Sequence, residues 1–169
     1  MLGEVVAMNT QLRNNSSVVG FSLIELLVVI AIVSVIASIA APSYLNYLDR
    51  QKLTAATEHI VSDMRWAKGE AIKRNTDIEF EITSGANGAW SYDVSDSGSS
   101  IRALSGSLYP DISVSTDFSA FTFDHVRGLT TPASLKSVTL TSPNANESNI
   151  TVSVMGTIGV CGIVGVASC

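Results

Sequence analysis

Glu25 is the charged side chain of an otherwise apolar segment, residues 20 to 42, which reads GFSLIELLVVIAIVSVIASIAAP. The next 23 residues, 26 to 48, carry no charge. At about 1.5 Å of rise per residue, such a helix is long enough to cross a hydrocarbon layer of about 30 Å. An ionised group inside a membrane span costs about 2.5 to 3.5 kcal/mol on insertion scales. Glu25 therefore needs either an ionic partner or a function.

Two interpretations of Glu25 are open. In the first, Ser22 and Glu25 have the S-x-x-E spacing of a capping box, which satisfies free backbone donors at the start of a helix. In the second, Glu25 forms a salt bridge with an α-amine beside the positive end of the helix. That amine belongs to Phe21 if the chain is cut after Gly20, or to a neighbouring copy. Under the second interpretation, the helix that anchors the chain in a membrane also makes a contact between subunits of an assembly.

Cys161 and Cys169 both lie in the last nine residues of the chain. Their spacing closes a small terminal loop, and a disulfide there implies an oxidising compartment. By chain entropy, such a loop contributes about 2.5 kcal/mol to stability. Two free, buried thiols are the alternative. A metal site needs more ligands than this pair offers.

The remaining polar residues do not form the pattern of an enzyme. His59 and His125 have no spacing that links either of them to a nucleophile, and neither a nucleophile elbow nor a phosphate-binding glycine loop is present. Residues 93 to 98, DVSDSG, lack the alternating oxygen ligands and the later Glu of a calcium loop. The sequence therefore predicts no catalytic residue, no metal site and no cofactor.

The charge balance differs between the two parts of the chain that follow the apolar segment. Residues 50 to 74 contain six basic and three acidic side chains, whereas residues 75 to 169 contain three basic and nine acidic ones. Affinity for nucleic acid comes largely from Lys and Arg that neutralise phosphates. The acidic C-terminal part therefore argues against nucleic acid as a general partner.

The periodicity of apolar residues predicts an α+β fold. From residue 45 to residue 71, apolar and small side chains recur in steps of three to five, which indicates an amphipathic helix that ends near Asn75 and Thr76. Pro42 is expected to bend or loosen the helix. After Asn75 the period changes to two, which predicts a hairpin of residues 78 to 82 and 90 to 94. Further strands are predicted at residues 112 to 116, 120 to 123, 136 to 141, 150 to 155 and 157 to 164.

These strands are expected to form one antiparallel sheet that packs on the second half of the helix. The segment from Ser95 to Ser107 is rich in Ser and Gly and is expected to be a mobile loop. Residues 142 to 148 are expected to form a turn. A C-terminal part of this size can bury a core of its own, so folding requires no cofactor.

Three stretches of the sequence resemble one family. Residues 20 to 25, GFSLIE, followed by the apolar helix resemble the N-terminal signature of bacterial type IV pilins and of the pseudopilins of type II secretion. Residues 64 to 75, MRWAKGEAIKRN, are similar to the helix end of the GspH, FimT and FimU subgroup, and residues 123 to 128, FDHVRG, to its strand and turn.

The resemblance implies how the chain is processed and divided. A prepilin peptidase cuts after Gly20 and N-methylates Phe21, Glu25 guides the subunit into a growing filament, and Pro42 corresponds to a helix-bending proline. The implied divisions are a leader that is removed, a transmembrane and polymerisation helix, the amphipathic second half of the helix, and a periplasmic β-sheet head: residues 1–20, 21–42, 43–75 and 76–169.

The resemblance also implies partners and a location. The partners are other pilin or pseudopilin subunits, the peptidase and an inner-membrane assembly platform. The chain would be a single-pass inner-membrane protein with a periplasmic head before it enters the pilus or pseudopilus. Some FimT-like proteins are associated with DNA uptake through basic residues near the C-terminal end, but residues 155 to 162, MGTIGVCG, contain neither Lys nor Arg. DNA binding is therefore not expected here.

The preferred function is structural: a minor pilin of the FimT or FimU kind in the initiating tip complex of a type IV pilus. A GspH-like pseudopilin of a type II secretion system is the alternative, and the pair Cys161 and Cys169 favours the pilus because the resemblance suggests that such pairs are commoner there. Outside the family, residues 38 to 40 could direct signal cleavage before Ala41 and release a secreted domain. A periplasmic binding module whose N-terminus is a simple tether is a further alternative.

Overall fold

The computed structural model describes residues 20 to 162, apart from the side chains of residues 41 and 42. Its contacts divide the chain into two compact units, with the boundary between Ala40 and Ala41. One helix, α1 (Leu23–Arg74), provides the regular structure of the first unit over its described residues and continues into the second. The strands all follow in the second unit. The predicted α+β class, with a long N-terminal helix, is confirmed.

The part of α1 in the second unit has one buried apolar face. Side chains on this face are at most 4% exposed and recur in steps of three or four residues, apart from the adjacent pair Ile60 and Val61: Leu53, Ala56, Ile60, Val61, Met64, Ala67 and Ala71. The helix ends where Asn75 adopts a left-handed conformation with φ 56°, and the N–H of Thr76 donates to the carbonyl oxygen of Ala71 at 3.3 Å. This Schellman arrangement confirms the predicted stop at Asn75 and Thr76.

Gly69 is an exposed residue inside α1, and replacing it by alanine is expected to stabilise the helix. A Cβ atom at this glycine would meet nothing within 4 Å, and glycine costs about 1 kcal/mol relative to alanine inside a helix. We expect Gly69→Ala to raise the free energy of unfolding by about 0.5 to 1 kcal/mol, measured by urea denaturation of the detergent-solubilised chain. As a control, Gly128→Ala should destabilise, because Gly128 has φ 63° and a new Cβ would come within 2.6 Å of Lys68 Cε. A loss of stability in Gly69→Ala would contradict the expectation.

The strands form two antiparallel sheets. Their bounds are β1 (Ile78–Thr83), β2 (Ser91–Asp96), β3 (Ser99–Ser105), β4 (Ser113–Thr116), β5 (Ala120–Phe123), β6 (Thr130–Thr131), β7 (Lys136–Thr141), β8 (Glu147–Val152) and β9 (Ile158–Cys161). The first sheet has the order β3-β2-β1-β5-β6, and the second has the order β4-β7-β8-β9. A single bridge between Gly85 and Val114 connects the hairpin loop of the first sheet to β4 of the second.

The alternating side chains of β1 show how the core is built. Ile78, Phe80 and Ile82 are buried, whereas Glu79 and Glu81 lie on the exposed face of the same strand. Phe80 lies opposite Val94 on β2 and Phe121 on β5, and its ring stacks on Tyr92 with centroids 5.2 Å apart. The buried side chains of α1 and of both sheets belong to one hydrophobic cluster. One core therefore holds the second unit together.

Several sequence predictions for the strands are confirmed, and two are wrong. The hairpin β1–β2 and the strands β4, β5 and β7 lie where they were predicted, within one or two residues. The strands form two sheets rather than one. Strand β3 occupies most of the segment expected to be a mobile loop, and the strand predicted at residues 150 to 155 lies at Glu147–Val152 as β8. The predicted turn is confirmed over residues 142 to 146, where the N–H of Ser142 donates to the carbonyl oxygen of Asn146 at 2.9 Å. The short strand β6 was not predicted.

Candidate assembly site

The Gly20–Phe21 peptide bond lies in an accessible, non-helical segment. Residues 20 to 22 have no regular structure, and α1 begins at Leu23. The side chain of Phe21 is 85% exposed, and Gly20 has no atoms within 4 Å of the position that a Cβ would occupy. Cleavage between Gly20 and Phe21 stays a prediction.

Glu25 lies in the first turn of α1 and is exposed. The backbone N–H groups of Glu25 and Leu26 donate to the carbonyl oxygen of Ser22 at 3.1 and 3.2 Å, so Ser22 precedes the helix as its N-cap residue. A carboxylate in this turn is favoured by the positive end of the helix dipole. Among residues 20 to 162 no basic side chain forms a salt bridge with Glu25. The capping box and the α-amine partner both remain open predictions.

The large apolar side chains that follow Glu25 are exposed in the first unit. They include Leu26, Leu27, Val28, Val29, Ile30, Ile32, Val33, Val35, Ile36 and Ile39, each at least 48% exposed. The helix contains one stretch that is long and apolar enough to cross a membrane. Large apolar surfaces left uncovered by the rest of a chain mark contacts with a membrane or with another protein. Glu25 thus lies at the start of an apolar surface that needs a membrane or another protein to cover it.

Three other predicted site residues are only partly covered by the structure. The helical backbone of α1 continues through Pro42, whose side chain lies outside the described residues, so the kink stays a prediction. Cys161 ends β9, and Cys169 lies outside the described residues. The disulfide between these two cysteines therefore also stays a prediction.

Asp63 is a buried carboxylate that the sequence analysis missed. It is 6% exposed and accepts a hydrogen bond from the Tyr92 hydroxyl at 2.7 Å and another from Arg102 Nη1 at 2.5 Å. The Arg102 guanidinium lies 4.2 Å from the centroid of the Trp66 ring, which adds a cation–π contact. Burial and the hydrogen bond to Asp63 raise the pKa of the Tyr92 hydroxyl. This network joins α1 to β2 and β3.

Lys136 is a buried cation at the start of β7, with 1% of its surface exposed. Its ammonium group donates to Thr130 Oγ1 at 3.3 Å, to the carbonyl oxygen of Pro132 at 2.7 Å and to that of Ser134 at 2.9 Å. Burial lowers the pKa of the Lys136 ammonium group. All three N–H bonds of the ammonium group are thereby used, so Lys136 holds the loop between β6 and β7 in place.

Asp77, Asp124 and His125 bring three ligand atoms within 4.8 Å of one another, the distance range of a metal site. These residues already form hydrogen bonds that hold the turn after β5. Asp77 Oδ1 accepts from the backbone N–H of His125 at 3.1 Å and lies 2.7 Å from His125 Nδ1, and Asp124 Oδ1 accepts from the N–H groups of Val126 and Arg127. The hydrogen bonds from His125 lower the pKa of Asp77. We attribute the group to the turn, which it fixes against the end of α1.

Glu70 gives the protein an acid-sensitive contact. The hydrogen bond from Arg74, with help from Lys73, holds the pKa of Glu70 below its usual value of 4.5. Because the folded pKa is lowered, the stabilisation is present above pH 4.5 and is lost as the pH falls towards the folded pKa. We expect the melting temperature of Glu70→Gln to be lower than that of the parent near neutral pH, and the difference to shrink as the solution is acidified. Equal differences at all pH values would contradict this role.

Comparison with known proteins places these features in a family. The family model for type II transport protein GspH matches residues 56–156, and the model of the prokaryotic N-terminal methylation motif matches residues 20–41. Two curated proteins of Pseudomonas aeruginosa, each named fimbrial protein, are 39% identical to this chain over 64 residues. That stretch is 38% of this chain and 41% of each relative, so the chain spans about two fifths of the length of these relatives.

The chain is also similar in fold to solved structures. Two crystal structures of the type IV minor pilin FimU from Pseudomonas aeruginosa, in space groups P65 and P21, superpose with TM-scores of 0.53 and 0.54. The sequence identities are 16% and 17%, and the superpositions cover 64% and 68% of this chain and 91% of each FimU chain. At this identity the likeness shows a shared fold.

Proposed function

Because the chain belongs to the family of type II transport protein GspH and carries the prokaryotic N-terminal methylation motif, we propose that it is a structural minor pilin of a type IV pilus. A prepilin peptidase cuts it after Gly20 and methylates Phe21. The apolar helix holds it in the bacterial inner membrane, with the head in the periplasm. An assembly platform then moves it into the initiating tip complex together with other pilin subunits.

The observation that carries this proposal is the arrangement of residues 20 to 41. An accessible Gly20–Phe21 bond is followed by Glu25 in the first helical turn and then by a helix whose apolar side chains are all uncovered within the first unit. A soluble binding module would need neither the carboxylate nor so long an apolar surface. A subunit that leaves the membrane to enter a filament needs both, because neighbouring helices then replace the lipid and supply a counter-ion.

The preferred filament is the type IV pilus, because the chain shares its fold with a type IV minor pilin. The second candidate is a pseudopilin of a type II secretion system, which the description of the matching family model favours. Deleting the gene separates the two. Loss of surface pili with normal export of secreted proteins supports the pilus, and the reverse result supports secretion.

The test of processing is mass spectrometry of the mature N-terminus. The proposal expects a chain that begins at N-methylated Phe21. A chain that begins at Ala41 would identify a secreted domain released by an ordinary signal peptidase, and an intact leader would exclude peptidase processing. Either of these results would overturn the proposed assembly mechanism.

We assign the protein neither catalysis nor nucleic acid binding. His59 Nδ1 lies 3.0 Å from the Tyr109 hydroxyl, and His125 binds Asp77, so both imidazoles have structural contacts. The acidic balance of residues 75 to 169 opposes attraction of phosphates. In the oxidising periplasm, a disulfide between Cys161 and Cys169 would close the terminal loop.

A further inference from the structure

Four exposed apolar side chains gather at the end of the second unit where α1 terminates. Ile72 is 52% exposed, Val126 67%, Val154 39% and Met155 71%. Among the described residues that follow the first fifty, two other large apolar side chains are exposed, Leu108 and Leu135. We call Ile72, Val126, Val154 and Met155 the turn patch, because three of them lie in two tight turns beside the helix.

The contacts of Lys68 show that the two turns are neighbours. Its ammonium group donates to the carbonyl oxygens of Met155 and Gly156 at 3.3 and 3.0 Å. A Cβ at Gly128 would lie 2.6 Å from Lys68 Cε, and one at Gly156 would lie 2.1 Å from the carbonyl oxygen of Gly128. The turns of residues 124 to 128 and 153 to 156 therefore touch each other and the helix at the level of Lys68.

The turn that carries Val126 runs along the end of α1. The turn of residues 124 to 128 is held at one end by Lys68, next to Gly128, and at the other by Asp77, which binds His125. Ile72 is one helical turn beyond Lys68 and precedes Asp77. Val126, between His125 and Gly128, is thereby placed along the turn of α1 that carries Ile72.

Backbone hydrogen bonds close both turns. Asp124 Oδ1 accepts the N–H groups of Val126 and Arg127 at 2.8 and 2.9 Å, and the N–H of Gly128 donates to the Asp124 carbonyl oxygen at 2.8 Å. The other turn is closed by the N–H of Gly156, which donates to the Ser153 carbonyl oxygen at 2.8 Å. A turn that is already closed by hydrogen bonds pays little backbone ordering cost on binding, which favours affinity.

Positive charge borders the turn patch, although the chain as a whole has a net charge of −5. Lys68 lies beneath the two turns, Arg127 follows Val126, and Arg65 lies on the exposed stripe of α1 two turns before Ile72. In the part of the chain that the structure describes, neither Arg65 nor Arg127 forms a salt bridge with a carboxylate. Asp77 and Asp124 also lie at this turn, where they bind His125 and the N–H groups of Val126 and Arg127. Arg65 and Arg127 are therefore the charges left to pair with carboxylates of another surface.

We propose that the turn patch docks a neighbouring protein subunit through a surface with apolar side chains at its centre and carboxylates around them. The proposal rests on the proposed function, in which the head lies beside other subunits. A protein fits better than an anionic membrane surface, because residues 75 to 169 have nine acidic and three basic side chains and would be repelled by anionic lipid. The fixed turns also present separate apolar side chains rather than one continuous amphipathic helix.

The test uses the full chain in cells that assemble the filament, with a photo-crosslinking amino acid at position 126 or 155. The matched control carries it at position 108, which is also 67% exposed but lies in the 3-10 helix of Gly106–Leu108. We expect crosslinks from positions 126 and 155 to one protein subunit, at a yield about tenfold above the control, at a site flanked by Asp or Glu. Arg127→Glu should lower that yield about tenfold, and a Lys at the flanking acidic position of the partner should restore it.

Several outcomes would overturn the proposal: yields no higher than at position 108, adducts with lipid instead of protein, or a yield that Arg127→Glu leaves unchanged. Crosslinks are scored in whole cells, so they decide the docking surface whether or not filaments form. A chain that crosslinks as expected but is absent from purified filaments would contradict the proposed function alone. Filament incorporation without crosslinks would contradict the docking surface alone.

Discussion

Glu25→Gln is expected to remain in the membrane and to be cut after Gly20, but to enter filaments about a hundredfold less than the parent. Gln keeps the size and hydrogen-bonding capacity of Glu and still completes a capping box, but it cannot form an ion pair with an α-amine. Removing one partner of a buried ion pair costs about 3 to 5 kcal/mol, which corresponds to a loss of at least about a hundredfold. The measurement is the ratio of subunit in sheared filaments to subunit in membranes.

The matched control is Ser22→Ala, which removes the hydroxyl of the capping box and leaves the charge in place. The backbone carbonyl of Ser22, which accepts from Glu25 and Leu26, is retained in that variant. Near-normal incorporation of Ser22→Ala beside loss in Glu25→Gln would assign the effect to charge. The opposite pattern, or normal incorporation of Glu25→Gln, would mean that Glu25 acts only on the start of the helix.

Local periodicity predicted the elements whose side chains alternate strongly between core and solvent. The helical stripe from Leu53 to Ala71 and the alternation of Ile78, Phe80 and Ile82 are each encoded in one continuous segment of the chain. Strand β3 has no such signal, because it is an edge strand in which Ile101 and Leu104 are only partly buried and the rest is exposed. Its exposed composition resembles that of a loop.

A local signal for β3 was nevertheless present in the turn before it. Ser97 and Gly98 have φ angles of 49° and 82°, and two consecutive positive φ values are those of a two-residue hairpin turn. The Ser-Gly pair after β2 therefore indicated a second hairpin. The division into two sheets had no comparable signal, since it depends on which distant strands pair and not on any one segment.

Gly20, Phe21 and Glu25 could be proposed as one site from the sequence because they are close together along the chain, and their roles stay predictions. The contacts within the head could not be predicted from the sequence. Asp63 and Arg102 are 39 residues apart, and Lys68 lies 88 residues before Gly156. Position 63 gave one hint, because an acidic residue three positions after Ile60 falls on the apolar face of the helix. A carboxylate there requires buried donors, which the fold provides through Tyr92 and Arg102.

Asp63→Ala is expected to lower the free energy of unfolding by about 2 to 4 kcal/mol, the largest effect that we expect in the head. The substitution removes the acceptor of the Tyr92 hydroxyl, whose side chain is 2% exposed, and the counter-ion of Arg102. A buried hydroxyl without an acceptor loses its hydrogen bonds with water and forms none within the protein. Urea denaturation of the detergent-solubilised chain, followed by tryptophan fluorescence, measures the loss.

A double-mutant cycle with Tyr92→Phe separates the buried hydroxyl from the rest of the network. Tyr92→Phe removes the donor and should cost about 1 kcal/mol, because no unsatisfied hydroxyl is left behind. In the double variant the phenolic hydroxyl no longer needs an acceptor, so the combined loss should be smaller than the sum of the two single losses. Strict additivity would show that Asp63 stabilises the head through Arg102 and Trp66 alone, and a loss below about 0.5 kcal/mol in Asp63→Ala would contradict a structural role for this carboxylate.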